Sequence, residues 1–173
     1  FPHIPLAVGE DQRGRSRAGT YGDAVEEIDD GVGALVAALQ RHRLEHDTLV
    51  IVTSDNGPWY QGSAGGLRGR KNDVFEGGVR VPFVAAWPGR IPADRVIGDV
   101  AMGIDVLPTV LDALRLPAPT DRVLDGGSLL PLLQERGRGP HGDLLFFKGE
   151  RLTALRSGKY KYHARQHLFP GTQ

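Results

Sequence analysis

Residues 48–58 read TLVIVTSDNGP, an apolar and β-branched run that ends in small polar residues. The unbroken apolar pattern predicts a short strand that is buried on both faces, as in a parallel sheet covered by helices. The residues after such a strand lie at the carboxyl edge of the sheet, where α/β enzymes place their ligands. The stretch therefore predicts an α/β fold, with Asp55 and Asn56 at the edge that carries the chemistry.

The segments on either side of this strand extend the α/β pattern. Apolar residues within 25–39 recur at three- and four-residue steps and predict an amphipathic helix, with Thr20 and Asp23 as its capping box. Downstream, residues 81–87 predict a second buried strand and residues 96–102 a third.

Two shorter helices are expected further along the chain. Asp105 could cap a helix that runs to Leu114, and Ser128 could cap a short helix around residues 129–133.

The end of the chain differs in character from the rest. Residues 144–148, 152–156 and 160–163 are short, strand-like and separated by turn residues, which predicts an antiparallel meander. We therefore divide the chain into residues 1–140, the α/β part, and residues 141–173, the start of a small antiparallel subdomain.

Composition excludes several classes of protein. Lys plus Arg and Asp plus Glu both number 21 among 173 residues, and this balance argues against a nucleic-acid-coating protein. The chain has no Cys, which rules out disulfides and thiolate metal sites. No apolar run approaches the length of a membrane span. Because the chain opens with Phe1-Pro2-His3 rather than with Met or a signal segment, we expect a piece of a longer protein.

Asp55 and Asn56 are the first candidates for chemistry. A carboxylate and an amide carbonyl are hard oxygen donors that suit calcium or magnesium, whereas a zinc site would be expected to contain His. The same residues also fit an Asx turn, because Asp-Asn-Gly-Pro is ordinary turn sequence. These four residues alone leave both interpretations open.

Lys71 and His3 are the next candidates. Lys71 lies among arginines and glycines, where an ammonium group could hold an anion, although a solvated basic loop is the simpler alternative. His3 lies between two prolines and could donate a proton to a leaving oxygen, unless it is merely exposed near the chain end. Glu76 and Arg80 are expected to form a buried ion pair that holds the loop.

Other catalytic patterns do not occur in the sequence. The Lys71 loop departs from a phosphate-binding Walker A motif, because Arg70 precedes the lysine and Asn72 follows it. No G-x-S-x-G nucleophile elbow is present, and no acidic pair is placed by spacing for glycoside hydrolysis.

Several short motifs occur in an order that resembles the type I sulfatases, and most closely their arylsulfatase A and N-acetylgalactosamine-6-sulfatase branch. The motifs are residues 3–5 (HIP), 21–30 (YGDAVEEIDD), 53–57 (TSDNG), 69–71 (GRK), 75–82 (FEGGVRVP), 105–109 (DVLPT), 125–126 (DG) and 156–161 (RSGKYK). Motifs that recur in one order are far more specific than any one of them. They favour the functional interpretations of Asp55, Asn56, Lys71 and His3 over the simpler alternatives.

The resemblance implies both a fold and a site. The fold would be part of an alkaline-phosphatase-like α/β sandwich with a small C-terminal antiparallel sheet. Asp55 and Asn56 would bind a calcium ion (Ca²⁺), and Asp55 would also help to deprotonate the nucleophile. Lys71 would contact the sulfate, and His3 the leaving-group oxygen. Cations placed where negative charge develops stabilise such a transition state.

The chain departs from the family pattern at the nucleophile. Family members carry a Cys-x-Pro-x-Arg or Ser-x-Pro-x-Arg motif whose first residue becomes formylglycine, and this sequence contains neither motif. The paired metal-binding aspartates that normally follow the first strand are also missing. We therefore expect the C-terminal half of a calcium-dependent sulfatase, with the formylglycine in an N-terminal half outside this chain, and we expect the isolated chain to be inactive.

Two alternatives remain from the sequence. One is a phosphate or phosphonate ester hydrolase of the same superfamily, and the other is a non-catalytic metal-binding remnant. The expected partner is a sulfated small molecule or sulfated saccharide, with no nucleic acid and no membrane. By family resemblance the protein would be periplasmic, secreted or lysosome-like.

Overall fold

The computed structural model describes residues 2–164. Its helices are α1 (Gly19–Arg41), α2 (Glu76–Val79), α3 (Val106–Ala113) and α4 (Leu130–Leu133), and short 3-10 turns lie at Glu45–Asp47 and Gly103–Asp105. Its strands are β1 (Val50–Thr53), β2 (Phe83–Ala86), β3 (Asp143–Lys148), β4 (Arg151–Ser157) and β5 (Tyr160–His163). Residues 165–173 of the predicted second unit lie outside the described residues, and the division after residue 140 stays a prediction.

β1 and β2 pair as an antiparallel two-stranded sheet, with Val50 opposite Ala86 and Thr53 opposite Phe83. The parallel pairing expected for β1 is therefore wrong within the described residues. The physical reason is that an apolar run reports burial, whereas strand direction depends on how the long connection returns to the sheet. Residues 96–102 form no strand, and Val96 is fully exposed.

The two-stranded sheet and α1 expose much apolar surface. The predicted burial of both strand faces is wrong. β1 is half-buried from Val50 to Val52 and exposed at Thr53, and β2 alternates between half-buried and exposed residues, with Val84 61% exposed. On α1, Ile28 is 52% and Leu35 is 68% exposed, although the predicted helix itself is confirmed. Within residues 2–164, no helix combines the length and the apolar character that crossing a membrane would require.

The start of α1 differs from the predicted capping box. The helix begins at Gly19 after Ala18, and no side chain caps it. The buried Asp23 carboxylate instead accepts hydrogen bonds from the backbone N–H groups of Gly14 (2.9 Å) and Ser16 (2.8 Å). These bonds favour the ionised form and lower the pKa of Asp23. Asp23 therefore anchors the preceding loop to α1.

Asp105 joins three segments rather than capping α3 with its side chain. Its fully buried carboxylate accepts hydrogen bonds from the N–H of Met102 (2.7 Å), the N–H of Gly127 (3.0 Å) and Nε2 of His141 (2.8 Å). The helix that follows, α3, ends at Ala113, close to the predicted Leu114. The Ser128 hydroxyl accepts a hydrogen bond from the Leu130 N–H (3.1 Å), but Leu129 rather than Ser128 is at the N-cap position of α4, so the predicted cap is one residue off.

The predicted antiparallel meander at the end of the chain is confirmed. β4 lies between β3 and β5, and both pairs are antiparallel. On β5, Lys161 and His163 are half-buried while Tyr160 and Tyr162 are about 70% exposed, as the two-residue period of a strand requires. The half-buried face of β5 meets α2, because the His163 ring stacks on Phe75 with 4.4 Å between ring centroids.

α2 packs against two loops at backbone contact distance. The Gly57 N–H donates to the Gly78 carbonyl oxygen (2.8 Å), and the Gly77 N–H donates to the Arg68 carbonyl oxygen (2.8 Å). A Cβ atom added at Gly57 would lie 2.0 Å from the Gly77 oxygen, and one added at Gly77 would lie 2.2 Å from the Gly69 oxygen. No residue larger than glycine fits these contacts.

We predict that Gly77→Ala lowers the free energy of unfolding by about 2 kcal/mol or more, because the new methyl group would overlap backbone atoms that cannot rotate away. Urea unfolding monitored by circular dichroism measures the effect. Gly31→Ala is the matched control, because a Cβ at Gly31 in α1 meets nothing within 4 Å. That control should be neutral or stabilising by up to about 1 kcal/mol. Equal effects of the two substitutions would contradict the packing argument.

The pH dependence of stability provides a second prediction. Burial, together with the charges of Lys161 and Arg68, lowers the pKa of His163, and its Nδ1 atom is buried without a hydrogen-bond partner among the described residues. The unfolded chain therefore takes up the His163 proton first as the pH falls. The contribution of His163 to the free energy of unfolding is fully present above the ordinary histidine pKa of about 6.5, and it decreases as the pH drops below that value.

His163→Phe keeps a ring against Phe75. We expect the free energy of unfolding of this variant to fall less between about pH 7 and pH 5 than that of the wild type. The measurement is the free energy of unfolding at several pH values. His42→Gln, at an exposed position just after α1, is the control and should retain the full wild-type pH dependence. If His163→Phe and wild type show the same pH profile, His163 is not buried as a neutral ring.

Candidate active site

The four residues singled out from the sequence line one cavity of about 370 Å³. Three segments meet there: the N-terminal stretch, the loop after β1, and the loop before α2. The lining residues are Pro2, His3, Ile4, Asp55, Asn56, Gly57, Trp59, Lys71 and Asn72. His3, Asp55, Asn56 and Lys71 thus lie together although up to 68 positions separate them in the sequence.

Asp55 and Asn56 follow the end of β1 as predicted. The Thr53 hydroxyl donates to the Pro82 carbonyl oxygen (2.9 Å), which ties the end of β1 to the residue before β2. The Ser54 hydroxyl donates to the Asn56 carbonyl oxygen (3.1 Å) and tightens the turn. The Asn56 side-chain amide donates to the Asp55 carboxylate. Both side chains therefore lie side by side at the cavity wall.

The chemistry of this pair suits a hard cation, but the donor count is low. Calcium takes six to eight oxygen ligands, which carboxylate and amide groups provide. Among residues 2–164, no group of three or more His, Asp or Glu side chains is placed to hold a metal ion. Asp55 and Asn56 fit part of a calcium site, and its other ligands would have to come from elsewhere. The calcium prediction stays a prediction.

Lys71 is held in a tight turn rather than in a loose basic loop. Its backbone N–H donates to the Pro58 carbonyl oxygen (3.0 Å), which joins the Lys71 loop to the loop after β1. The buried Asp73 carboxylate accepts a hydrogen bond from the Arg70 N–H (3.0 Å), and Asn72 adopts a left-handed conformation with φ 75°. The half-buried Lys71 is thus fixed at the cavity wall by the backbone on both sides of it.

Arg70 has a structural role that the sequence did not indicate. Its guanidinium donates to the carbonyl oxygens of Trp59 (3.0 Å) and Gly62 (2.7 Å). These two bonds hold the segment that carries Trp59 against the cavity. Trp59 was also missed as a lining residue, and its only signal in the sequence is an aromatic pair directly after Gly-Pro.

His3 is exposed and presents one ring nitrogen for proton transfer. Its Nδ1 atom lies 2.7 Å from the Ile4 carbonyl oxygen. A carbonyl only accepts hydrogen bonds, so Nδ1 carries the proton in this arrangement. The other nitrogen, Nε2, then accepts in the neutral ring and donates in the imidazolium. His3 can therefore give a proton from Nε2 only when the ring is charged.

The expected Glu76–Arg80 pair is wrong, because Glu76 has other partners. Its carboxylate lies 2.9 Å from Nζ of Lys161 and 4.0 Å from the Arg156 guanidinium. Arg80 follows α2 and is exposed. Sequence spacing suggested a local partner, whereas tertiary packing brings the C-terminal sheet to α2.

Two known families match the sequence of this chain. Residues 3–116 match the family described as Sulfatase, and residues 70–166 match the family described as N-sulphoglucosamine sulphohydrolase, C-terminal. The chain is 40% identical to N-acetylgalactosamine-6-sulfatase of Canis lupus familiaris, over 93% of this chain and 32% of that protein. It is 38% identical to human steryl-sulfatase, over 89% of this chain and 28% of that protein.

Solved structures agree with the sequence matches. The PsFucS1 sulfatase from Pseudoalteromonas sp. superposes with a TM-score of 0.86 at 32% identity, over 93% of this chain and 34% of that one. Ps i-CgsB, in complex with k-i-k-neocarrahexaose, superposes with a TM-score of 0.80 at 26% identity, over 92% of this chain and 38% of that one. These likenesses confirm the predicted sulfatase fold, of the alkaline-phosphatase-like class.

The chain spans about a third of the length of the relatives that it matches. Within that span, the family match covers all four residues that the cavity brings together. The chain belongs to the sulfatase family.

Proposed function

We propose that this chain forms one wall of the active site of an enzyme that hydrolyses sulfate esters. The observation that carries the proposal is the meeting of His3, Asp55, Asn56 and Lys71 in one cavity. Together they offer an ammonium group, an imidazole and two adjacent oxygen donors, which are part of the set that a sulfate monoester and its metal would need. The sulfatase family membership supports the same reaction class.

In the proposed reaction Lys71 binds the sulfuryl oxygens. Its ammonium group neutralises part of the negative charge that these oxygens carry. As the bond between sulfur and the ester oxygen breaks, His3, as the imidazolium, donates a proton from Nε2 to that oxygen, so that a neutral alcohol leaves. Asp55 and Asn56 would hold a calcium ion, which when bound polarises the sulfuryl oxygens.

The nucleophile would lie outside this chain. The 173 residues contain no Cys and no Ser-x-Pro-x-Arg motif, so the formylglycine that the resemblance implies has no precursor here. We infer that the chain is the C-terminal part of a longer protein and that the 173 residues alone do not turn over substrate. The reading frame upstream of Phe1 is the direct check, since it should contain that motif and further acidic metal ligands.

Trp59 bears on the kind of alcohol that leaves. It lines the cavity together with Lys71 and brings an aromatic ring to the wall. Its backbone carbonyl accepts a hydrogen bond from Arg70, which fixes its position. An aromatic wall suits the apolar face of a sugar ring or an aryl group. We propose a sulfated saccharide as the substrate, in line with the complex of Ps i-CgsB with k-i-k-neocarrahexaose.

The proposed activity is tested with the longer protein that contains this chain, assayed on 4-methylumbelliferyl sulfate and on the matching phosphate in parallel. Lys71→Ala should lower kcat/KM for the sulfate by about 10²–10³, because charge stabilisation of the sulfuryl oxygens is lost. Lys159→Ala, at an exposed lysine in the turn between β4 and β5, is the control and should leave kcat/KM unchanged. Preference for the phosphate would favour a phosphate ester hydrolase, and no change in Lys71→Ala would exclude the proposed role.

Calcium binding is tested by isothermal titration of the same longer protein. Asp55→Ala should weaken calcium affinity by about tenfold or more, because a charged oxygen ligand is removed. Asp29→Ala, at an exposed position on α1, is the matched control. If Asp55→Ala leaves both the calcium affinity and kcat/KM at their wild-type values, Asp55 is not a metal ligand.

A further inference from the structure

One ion pair connects the C-terminal sheet to the segment that supports the cavity. Nζ of Lys161, on β5, donates to Oε1 of Glu76 at 2.9 Å, across 85 positions of sequence. The Lys161 side chain is only 10% exposed, and its ammonium group also lies 3.7 Å from the centroid of the Phe146 ring. A buried ammonium is costly unless it is paired, so this contact differs from an ordinary surface ion pair.

A second contact from the same strand face reaches the neighbouring residue. His163, two positions after Lys161, stacks on Phe75, which directly precedes Glu76. The Arg68 guanidinium lies 4.1 Å from the centroid of the same Phe75 ring. The C-terminal sheet therefore holds two successive residues at the start of α2. Lys161 holds Glu76 by charge, and His163 holds Phe75 by ring stacking.

α2 in turn contacts both loops that carry the proposed site residues. The Gly78 carbonyl oxygen accepts the N–H of Gly57, directly after Asn56. Arg68 and Asp73 flank Lys71 in its loop, and both contact α2. The Arg68 carbonyl oxygen accepts the Gly77 N–H, and the Asp73 carbonyl oxygen would lie 2.2 Å from a Cβ atom added at Gly78. Because these backbones are in direct contact, we expect a displacement of α2 to move Asn56 and Lys71 with it.

We propose that Lys161 is a positioning residue for the active site. Acting through Glu76, it fixes α2 and thereby sets the distance between the Asp55–Asn56 pair and Lys71. Lys161 is not among the residues that line the cavity, and its effect passes through the Glu76 side chain and then through the backbone contacts of α2. The part of this inference that concerns catalysis rests on the proposed function, whereas the mechanical coupling does not.

The coupling is tested first by amide hydrogen exchange on the longer protein that contains this chain. Lys161→Met keeps the length of the side chain and removes its charge. We expect exchange at the Gly57 and Gly77 amides to become about tenfold faster, since both bonds depend on the position of α2. The Leu129 amide, which donates to the Thr109 hydroxyl, should keep its wild-type rate. Unchanged exchange at Gly57 and Gly77, or an equal increase at Leu129, would overturn the proposal.

Glu76→Gln serves as a second variant if Lys161→Met does not fold, because it keeps the shape of the side chain and removes the opposite charge. Lys159→Met is the matched control, since Lys159 is exposed and lies two positions before Lys161. Lys161→Arg should restore slow exchange at Gly57, because it again presents a cation to Glu76. A failure of both charge-removing variants to accelerate exchange at Gly57 and Gly77 would also overturn the proposal.

The catalytic consequence is measured on the longer protein with an aryl sulfate. Lys161→Met should lower kcat/KM by about tenfold, with Lys161→Arg close to wild type and the double variant with Glu76→Gln no worse than either single variant. Additive losses would show that the two residues act separately. If the wild-type protein hydrolyses neither sulfate nor phosphate esters, the proposed function fails, while the exchange experiment still decides the coupling.

Discussion

The contact on which the site depends is the close approach of α2 to two loops. The Gly57 N–H reaches the Gly78 carbonyl, and the Gly77 N–H reaches the Arg68 carbonyl, both at 2.8 Å. These distances require glycine, because any Cβ at Gly57 or Gly77 would overlap a carbonyl oxygen. The backbones lie so close together that no side chain fits between them. These contacts place the loop after β1 and the Lys71 loop in one fixed relation.

The cavity that results has an uneven distribution of charge. Asp55 and Asn56 provide oxygen donors on one segment, Lys71 provides a cation on another, and His3 comes from a third. This separation suits an anionic ester held between a cation and a metal, with a proton donor near the departing oxygen. The donor set is incomplete for calcium within the described residues, in keeping with a chain that spans about a third of its relatives' length.

The grouping of His3, Asp55, Asn56 and Lys71 in one cavity was predictable because these residues sit in short motifs whose order resembles that of the sulfatases. Neither Asp55-Asn56 nor Lys71 could be separated from ordinary turn or loop chemistry by its own sequence context. Trp59, Arg70 and Lys161 were not foreseen as parts of the site or its support. Each makes a contact with a backbone or side-chain group of another segment, and such contacts leave no local pattern in the sequence.

By itself the sequence determined the family, the helix of residues 19–41, the strand before Asp55 and the C-terminal meander, because these follow from local periodicity and short motifs. Only the tertiary structure decided the antiparallel pairing of β1 with β2 and the partners of three acidic side chains. Asp23, Asp105 and Glu76 were each assigned a nearby role, and each instead binds groups from another segment. A buried carboxylate takes whichever donors the folded chain brings to it, and sequence distance does not record which segments meet.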